Sequence, residues 1–287
     1  MPAPRLFDRA LIARRLDRAL RQRPADFLLV RAAEELEDRL ALVKRDFESA
    51  LDLGTPAPHA AGALRAAHVT RLAPTRASLG GGRFAGLVGD LERPPIAEAA
   101  FDLVVSLLAL HQVDDLPGVL IQIRRALKPD GLMIAAVPGG DTLSELRESL
   151  IVAESEMSGG ASPRVAPFAD ARALGGLLQR AGFALPVVDS DRFTVRYADM
   201  FALMHDLRAF GATNALVDRS RRFARRELFA RAAAHYAERF ADPDGKVRAT
   251  FEILWLAGWA PHPSQPQPLK PGSARMRLEE AVKRNKR

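Results

Sequence analysis

Residues 101–147, FDLVVSLLALHQVDDLPGVLIQIRRALKPDGLMIAAVPGGDTLSELR, constrain the fold more than any other stretch of the chain. Phe101 to Leu110 and Leu132 to Val137 are apolar throughout. Continuous apolar runs predict strands covered on both faces, as in a parallel sheet. Between them Leu116, Val119, Leu120, Ile123 and Leu127 recur at helical spacing, and a Lys-Pro-Asp-Gly turn precedes the second run. Parallel neighbours need a crossover, so strand–helix–strand order predicts a doubly wound α/β sheet.

The flanking sequence extends this pattern. Asp26 is predicted to cap a helix running to about Lys44, with Leu29, Ala33, Leu36, Leu40 and Val43 on one stripe. Ser49 to Leu53 predicts a short strand; Leu64 to Leu72 and Phe84 to Gly89 are weaker candidates. Further helices are predicted over Thr142 to Met157, Ala169 to Ala181 (ended by Gly182), 199–211 and 222–240. Leu185 to Val195 and Lys246 to Trp259 read as strands. Five prolines between Pro261 and Pro271 end regular structure. With no internal repeat and no sharp break in composition, the chain reads as three parts. These are an N-terminal helical extension (1–47), a sheet domain (48–260) and a Pro-rich basic tail (261–287).

Composition removes several kinds of chemistry. The chain has no cysteine, which excludes disulfides, thiolate metal sites and thiol nucleophiles. Its six histidines form neither H-x-[DE] nor HExxH spacing, so no metal is expected, and there is no G-x-S-x-G elbow. No apolar run is long enough to span a bilayer, and the Arg-rich start is interrupted by Asp8 and Asp17. A cytoplasmic protein is expected. The net charge of +7 is uneven: residues 1–25 hold seven Arg against two Asp, and residues 270–287 hold seven Lys or Arg against two Glu. Each end is therefore +5 and the remainder −3. Basic ends attract nucleic acid, anionic lipid or acidic protein. The tail has no aromatic residue to stack bases, so nucleic acid is not expected. Peripheral contact with a membrane surface and a plain solvated tail both remain open.

Open α/β sheets bind ligands beyond the carboxyl ends of their strands. Asp52 and Gly54 begin such a loop, followed by Thr55-Pro56-Ala57-Pro58. Proline fixes φ and has no N–H to donate, so this loop is a poor cradle for a polar ligand. A ribose diol needs a carboxylate near the end of strand two, but Ala67-His68-Val69-Thr70-Arg71 has none, and Arg71 is expected on the surface. In Gly89-Asp90-Leu91-Glu92, Asp90 can accept from an adenine amino group while the N–H of Leu91 serves the ring; an exposed turn is the alternative. Asp52, Gly54, Asp90, Leu91 and Ser106 are thus the candidate cofactor residues. On the substrate side stand His111, at the end of a buried strand, and Gly139, Gly140, Asp141 and Arg147. His111 is otherwise structural or a cap. Asp141 or Thr142 is expected to cap the next helix, with Glu145 completing a capping box. Arg147 has the planar fork to clamp a carboxylate. No catalytic base emerges.

These motifs carry a resemblance. ALDLG (50–54), FDLVVS (101–106), LKPDG (127–131), GGDTLSELR (139–147), SPRVAPF (162–168) and LLQRAGF (177–183) resemble the complex I assembly factor 5 family. So do MFALMHDLRAFGATNA (200–215) and GWAPHPSQPQPLKPGSA (258–274). That family comprises arginine hydroxylases built on a methyltransferase fold; the chain is more distantly similar to the biotin-pathway methyltransferases. FDLVV and LKPDG are common to many methyltransferases, whereas GGDTLxELR and the C-terminal motif are far more specific. The resemblance implies a class I methyltransferase (Rossmann-like) fold, a doubly wound, mostly parallel seven-stranded sheet with helices on both faces. It implies S-adenosylmethionine as the cofactor of the fold and a complex I subunit as partner, modified at one arginine or chaperoned in assembly. Pro56, Pro58 and Arg71 depart from the family's glycine-rich loop and acidic strand end. Alternatives are an S-adenosylmethionine-dependent methyltransferase of a small molecule or protein, and a non-catalytic binding module.

Overall fold

Three central strands are buried on both faces, and the sheet grows outward from them. A computed structural model describes residues 5–22 and 24–266. The central strands are β1 (Phe47–Leu53), β4 (Phe101–Leu107) and β5 (Leu127–Pro138). With β2 (Ala66–Ala73), β3 (Ala85–Val88), β6 (Ala184–Tyr197) and β7 (Val247–Trp259) they form one sheet in the order β3-β2-β1-β4-β5-β7-β6. β1 to β5 pair in parallel, and β7 runs antiparallel between β5 and β6. The chain order reverses between β1 and β4, which opens a crevice at their carboxyl ends.

The helices are α1 (Arg9–Arg21), α2 (Phe27–Ala41), α3 (His59–Ala63), α4 (Arg76–Leu79), α5 (Leu116–Ala126), α6 (Ser144–Ser158), α7 (Ala171–Arg180), α8 (Met200–Ala209) and α9 (Arg226–Phe240). One face of the sheet packs Leu51, Val104 and Met133 against Val119, Leu120 and Ile123 of α5 and Leu178 of α7. The other packs Ala50, Leu103 and Val105 against Leu29 and Leu36 of α2. β6 and β7, the two longest strands, extend to carry a third core, where Leu146, Leu203, Tyr236 and Phe251 join α6, α8 and α9.

Local rules fail where tertiary bonds compete. The second helix stops at Ala41 rather than Lys44, and Asp26, though it precedes the helix, makes no cap bond. Its carboxylate lies 3.6 Å from Nε2 of His59. The expected capping box of α6 does not form, because Leu143, in the left-handed region, precedes the helix. Thr142 Oγ1 donates to the Glu252 carbonyl at 2.9 Å, and the Glu145 carboxylate accepts from the Thr250 N–H at 3.1 Å and from its hydroxyl. Both side chains thus fasten α6 to β7. The expected LKPDG turn is instead a register shift within β5, and Gln265 of the C-terminal motif donates to its Asp130 at 2.8 Å and to the Ala260 carbonyl at 2.9 Å. The basic segment 270–287 and Pro268 and Pro271 lie outside the described residues.

The N-terminal segment is stitched to the body. Phe7 bridges to Leu216, the N–H groups of Leu6 and Phe7 donate to Asp114, and Asp8 caps α1 through Leu11. Arg15 donates to the Thr213 and Asn214 carbonyls. Gly211 (φ 75°) lies against this helix, and a Cβ there would meet the Leu16 Cα at 2.9 Å. Backbone cannot yield as a side-chain tip can. Gly211→Ala is therefore expected to cost about 2–3 kcal/mol, read by chemical denaturation. A change below about 0.5 kcal/mol would mean that α1 is not held this closely.

Candidate ligand cleft

Beneath the loop after β1 lies a buried ion pair. Arg71 is only 1% exposed, which corrects the expectation of a surface side chain, and Asp52 is fully buried. Arg71 Nε donates to Asp52 Oδ2 at 2.8 Å. Its Nη1 donates to the carbonyls of Ser78 (2.6 Å) and Leu79 (2.7 Å), and Nη2 to that of Thr55 (3.0 Å). Burial pushes the Asp52 carboxyl upward, opposed chiefly by the Arg71 guanidinium. The pair ties β1, β2, the first loop and the end of α4 together. Thr55 Oγ1 adds a tie to β4 by accepting from the Leu107 N–H at 3.1 Å. Arg71 is also not the strand end; β2 continues to Ala73, and Pro74 lines the crevice.

That crevice is a cleft of about 550 Å³. Gly54, Asp90 and Leu91 line it; Asp52 and Ser106 do not. Ser106 is buried, with no hydrogen-bond partner for its hydroxyl. Gly54 has φ 78°, and a Cβ there would lie 2.7 Å from a Leu91 methyl, so Leu91 rests directly on the loop. Helix α1 crosses the opening. Arg9 Nη1 contacts Asp90 at 2.6 Å and Glu92 at 3.4 Å, while Asp8 pairs with Arg219 at 3.1 Å. The three carboxylates of the cleft therefore each face an arginine. Ser, Thr, Tyr, Lys and His are absent from its described lining, so its ionisable groups are these carboxylates and arginines.

An apolar chamber of about 410 Å³ adjoins the cleft. Phe7, Pro56, Leu108 and Gln112 line both. Leu29, Leu146, Met204 and Phe251 are among its walls, with His111 and Glu252 among its polar groups. The His111 ring sits 6.1 Å from that of Phe168, and its Nδ1 is buried without a partner. Burial lowers its pKa to about 4, so the imidazole is neutral at physiological pH.

The GGDTLSELR segment borders this chamber through Thr142, Leu143 and Leu146, whereas Gly139, Gly140, Asp141 and Arg147 line neither cavity. Glu252 organises the segment, accepting from the Asp141 N–H at 3.0 Å and the Ser190 hydroxyl at 2.8 Å. A Cβ on Gly139 would come within 2.4 Å of the Glu252 carboxylate, which accounts for glycine there. Arg147 does not present a free clamp; its guanidinium bonds the Gly140 and Thr142 carbonyls, both at 3.3 Å. Sequence reasoning missed Glu252, although it is the only charged residue between Ala249 and Ala260. It also missed Arg9 and Phe7, whose positions over the cleft depend on long-range bonds.

Two measurements probe this arrangement. Asp52→Asn leaves the Arg71 charge buried and uncompensated, so a loss of about 3–5 kcal/mol is expected in chemical denaturation. A loss under about 1 kcal/mol would show the pair to be dispensable. For His111 the folded pKa lies below the unfolded 6.5, so the unfolded chain binds the proton first as pH falls. Stability present at neutral pH is then lost between about pH 6.5 and 4, amounting to about 2 kcal/mol between pH 7 and pH 5. A His111→Gln variant should lack that part of the acid limb; an unchanged slope would contradict a neutral imidazole there.

Comparison with known proteins places this geometry. A methyltransferase-domain family matches residues 51–135. The BH2331 protein of Bacillus halodurans (TM-score 0.55, 16% identity, 79% of this chain and 98% of that one) and the YcgJ protein of Bacillus subtilis (TM-score 0.55, 14% identity, 81% and 99%) share the fold. The fold is thus the class I methyltransferase fold. The chain is 39% identical to the arginine-hydroxylase NDUFAF5 of Danio rerio, over 97% of its own length and 90% of the relative's. It is 40% identical to that of Homo sapiens, over 98% and 84%. A malonyl-[acyl-carrier protein] O-methyltransferase of Methylovorus is 34% identical over 89% and 90%. With near-complete coverage in both directions, the chain belongs to the NDUFAF5 arginine-hydroxylase family of methyltransferase-fold proteins.

Proposed function

We propose that this chain acts on a protein partner in respiratory complex I assembly, hydroxylating one arginine of a subunit or chaperoning its assembly. Its first loop, on this reading, no longer serves S-adenosylmethionine. The observation that carries the proposal is the likeness to curated arginine hydroxylases along 97% of the chain. An S-adenosylmethionine-dependent methyltransferase is the competing reading, given the fold and the methyltransferase relatives.

The cleft supports the first reading over the second. A ribose diol is held by a carboxylate at the end of strand two. Here β2 ends at Ala73, followed by Pro74, and Arg71 spends its donors on Asp52, Thr55, Ser78 and Leu79. The carboxylate placed for an adenine amino group, Asp90, is engaged by Arg9. Pro56 and Pro58 offer no N–H toward a ligand. Pro58 instead packs on Gly80, 3.1 Å from where its Cβ would stand.

Two experiments separate the readings. Titration calorimetry of the full chain with S-adenosylmethionine is expected to show no saturable heat; saturable binding would restore the methyltransferase reading. Mass analysis of complex I subunits from strains with and without the gene is expected to reveal one arginine lacking an oxygen atom in the deletion strain. Identical arginines together with normal complex I assembly would remove the proposal, whereas identical arginines with failed assembly would leave the chaperone form.

A further inference from the structure

Residues 219–226 read Arg-Ser-Arg-Arg-Phe-Ala-Arg-Arg, five arginines without an acidic residue. Every side chain from Ser220 to Arg226 is exposed. Phe223, at the centre, is fully exposed at 103%, more than any other large apolar side chain among the described residues. A phenylalanine left wholly in water forfeits the burial for which such a ring is suited.

Bonds to the body fix the location of this segment. Arg219 donates to the Leu216 carbonyl at 2.7 Å and to Asp8 at 3.1 Å, and the Val217 N–H donates to the Leu6 carbonyl at 2.9 Å. The segment therefore lies beside the start of α1, next to the exposed Leu6, and Arg14 and Arg18 farther along the helix are also exposed. The arginines here are close enough to act on one another. Burial, then the charges of Arg219 and Arg18, lower the pKa of Arg15. Val217 and Arg221 also line the cleft, so the basic face and the cleft share an edge.

The charge of this face selects its occupant. Residues 270–287 of the same chain carry a net +5 and would be repelled, as would the same face of a second copy. Single-stranded nucleic acid is held by successive aromatic platforms, but Phe223 is the only aromatic residue between 211 and 228. A lone ring flanked by cations on a projecting segment suits a deformable anionic phase, where the ring enters the headgroup–acyl boundary and the guanidiniums meet phosphates. We propose that residues 219–226 and the adjoining face of α1 dock the protein on an anionic lipid bilayer, with Phe223 inserted and the cleft mouth turned toward the membrane surface. This inference does not depend on the arginine-hydroxylase reading.

Co-sedimentation of the full chain with vesicles of phosphatidylcholine, with and without phosphatidylglycerol, tests it. Binding is expected only with phosphatidylglycerol, and is expected to fall as salt rises. Arg222→Glu with Arg225→Glu should weaken binding by at least about tenfold, and Phe223→Ala should weaken it further. In Phe223→Trp the emission should shift to the blue on anionic vesicles alone. All these positions are exposed, and circular dichroism confirms the fold of each variant. Equal binding to neutral vesicles, or full retention by the loop variants (which would assign binding to the basic tail), would overturn the proposal. So would Phe223-dependent capture of single-stranded RNA or polyglutamate with no binding to vesicles.

Discussion

The buried pair of Asp52 and Arg71 is the constraint on which the ligand side of this sheet depends. Two charges removed from water need each other and need every remaining donor satisfied. The arginine meets that demand by spreading its bonds over one carboxylate and three carbonyls, from Thr55 and from Ser78 and Leu79. Those carbonyls belong to the first loop and to the end of α4. The loop shape is therefore set by a protein side chain from within. A glycine-rich loop leaves backbone donors for a ligand; here Pro56 and Pro58 have no N–H, and the Gly54 N–H donates to the Leu72 carbonyl at 2.7 Å.

A second consequence concerns the cleft opening. With the loop held from below, α1 lies across the mouth and supplies Arg9 to Asp90 and Glu92. Phe7 and Leu108 stand where the polar cleft meets the apolar chamber. The chamber holds a neutral imidazole and a carboxylate that is already employed in ordering the GGD turn. The carboxylates of both cavities are thus largely engaged within the chain, while the Nδ1 atoms of His59 and His111 in the chamber are buried without a partner.

Several residues of the family motifs turn out to be fasteners. Glu145, Thr142 and Glu252 join α6 to β7, and Gln265 with Asp130 joins the C-terminal motif to the irregular first part of β5. The GGDTLSELR bonds hold one wall of the chamber in register, whereas the Gln265 bonds fasten the opposite end of β5. Arg147 belongs with them, since it bonds the carbonyls of its own loop.

The amino-acid sequence by itself determined the sheet. The apolar runs of β4 and β5, the stripe of α5 and the final long strand declare themselves by period and composition, because burial on both faces leaves no room for polar residues. Gly54, Asp90 and Leu91 were legible as cleft residues for a related reason: they follow strands at their carboxyl ends. Only the tertiary structure decided where Arg71 points, which carboxylate caps and which fastens, and what covers the cleft. Asp52 and Arg71 are 19 positions apart, Thr142 and Glu252 are 110 apart, and Arg9 and Asp90 are 81 apart. Local rules rank the partners a side chain can find nearby, but a buried polar group takes the partner that satisfies it once water is gone. That partner is chosen by the packed fold and carries no mark in the local sequence.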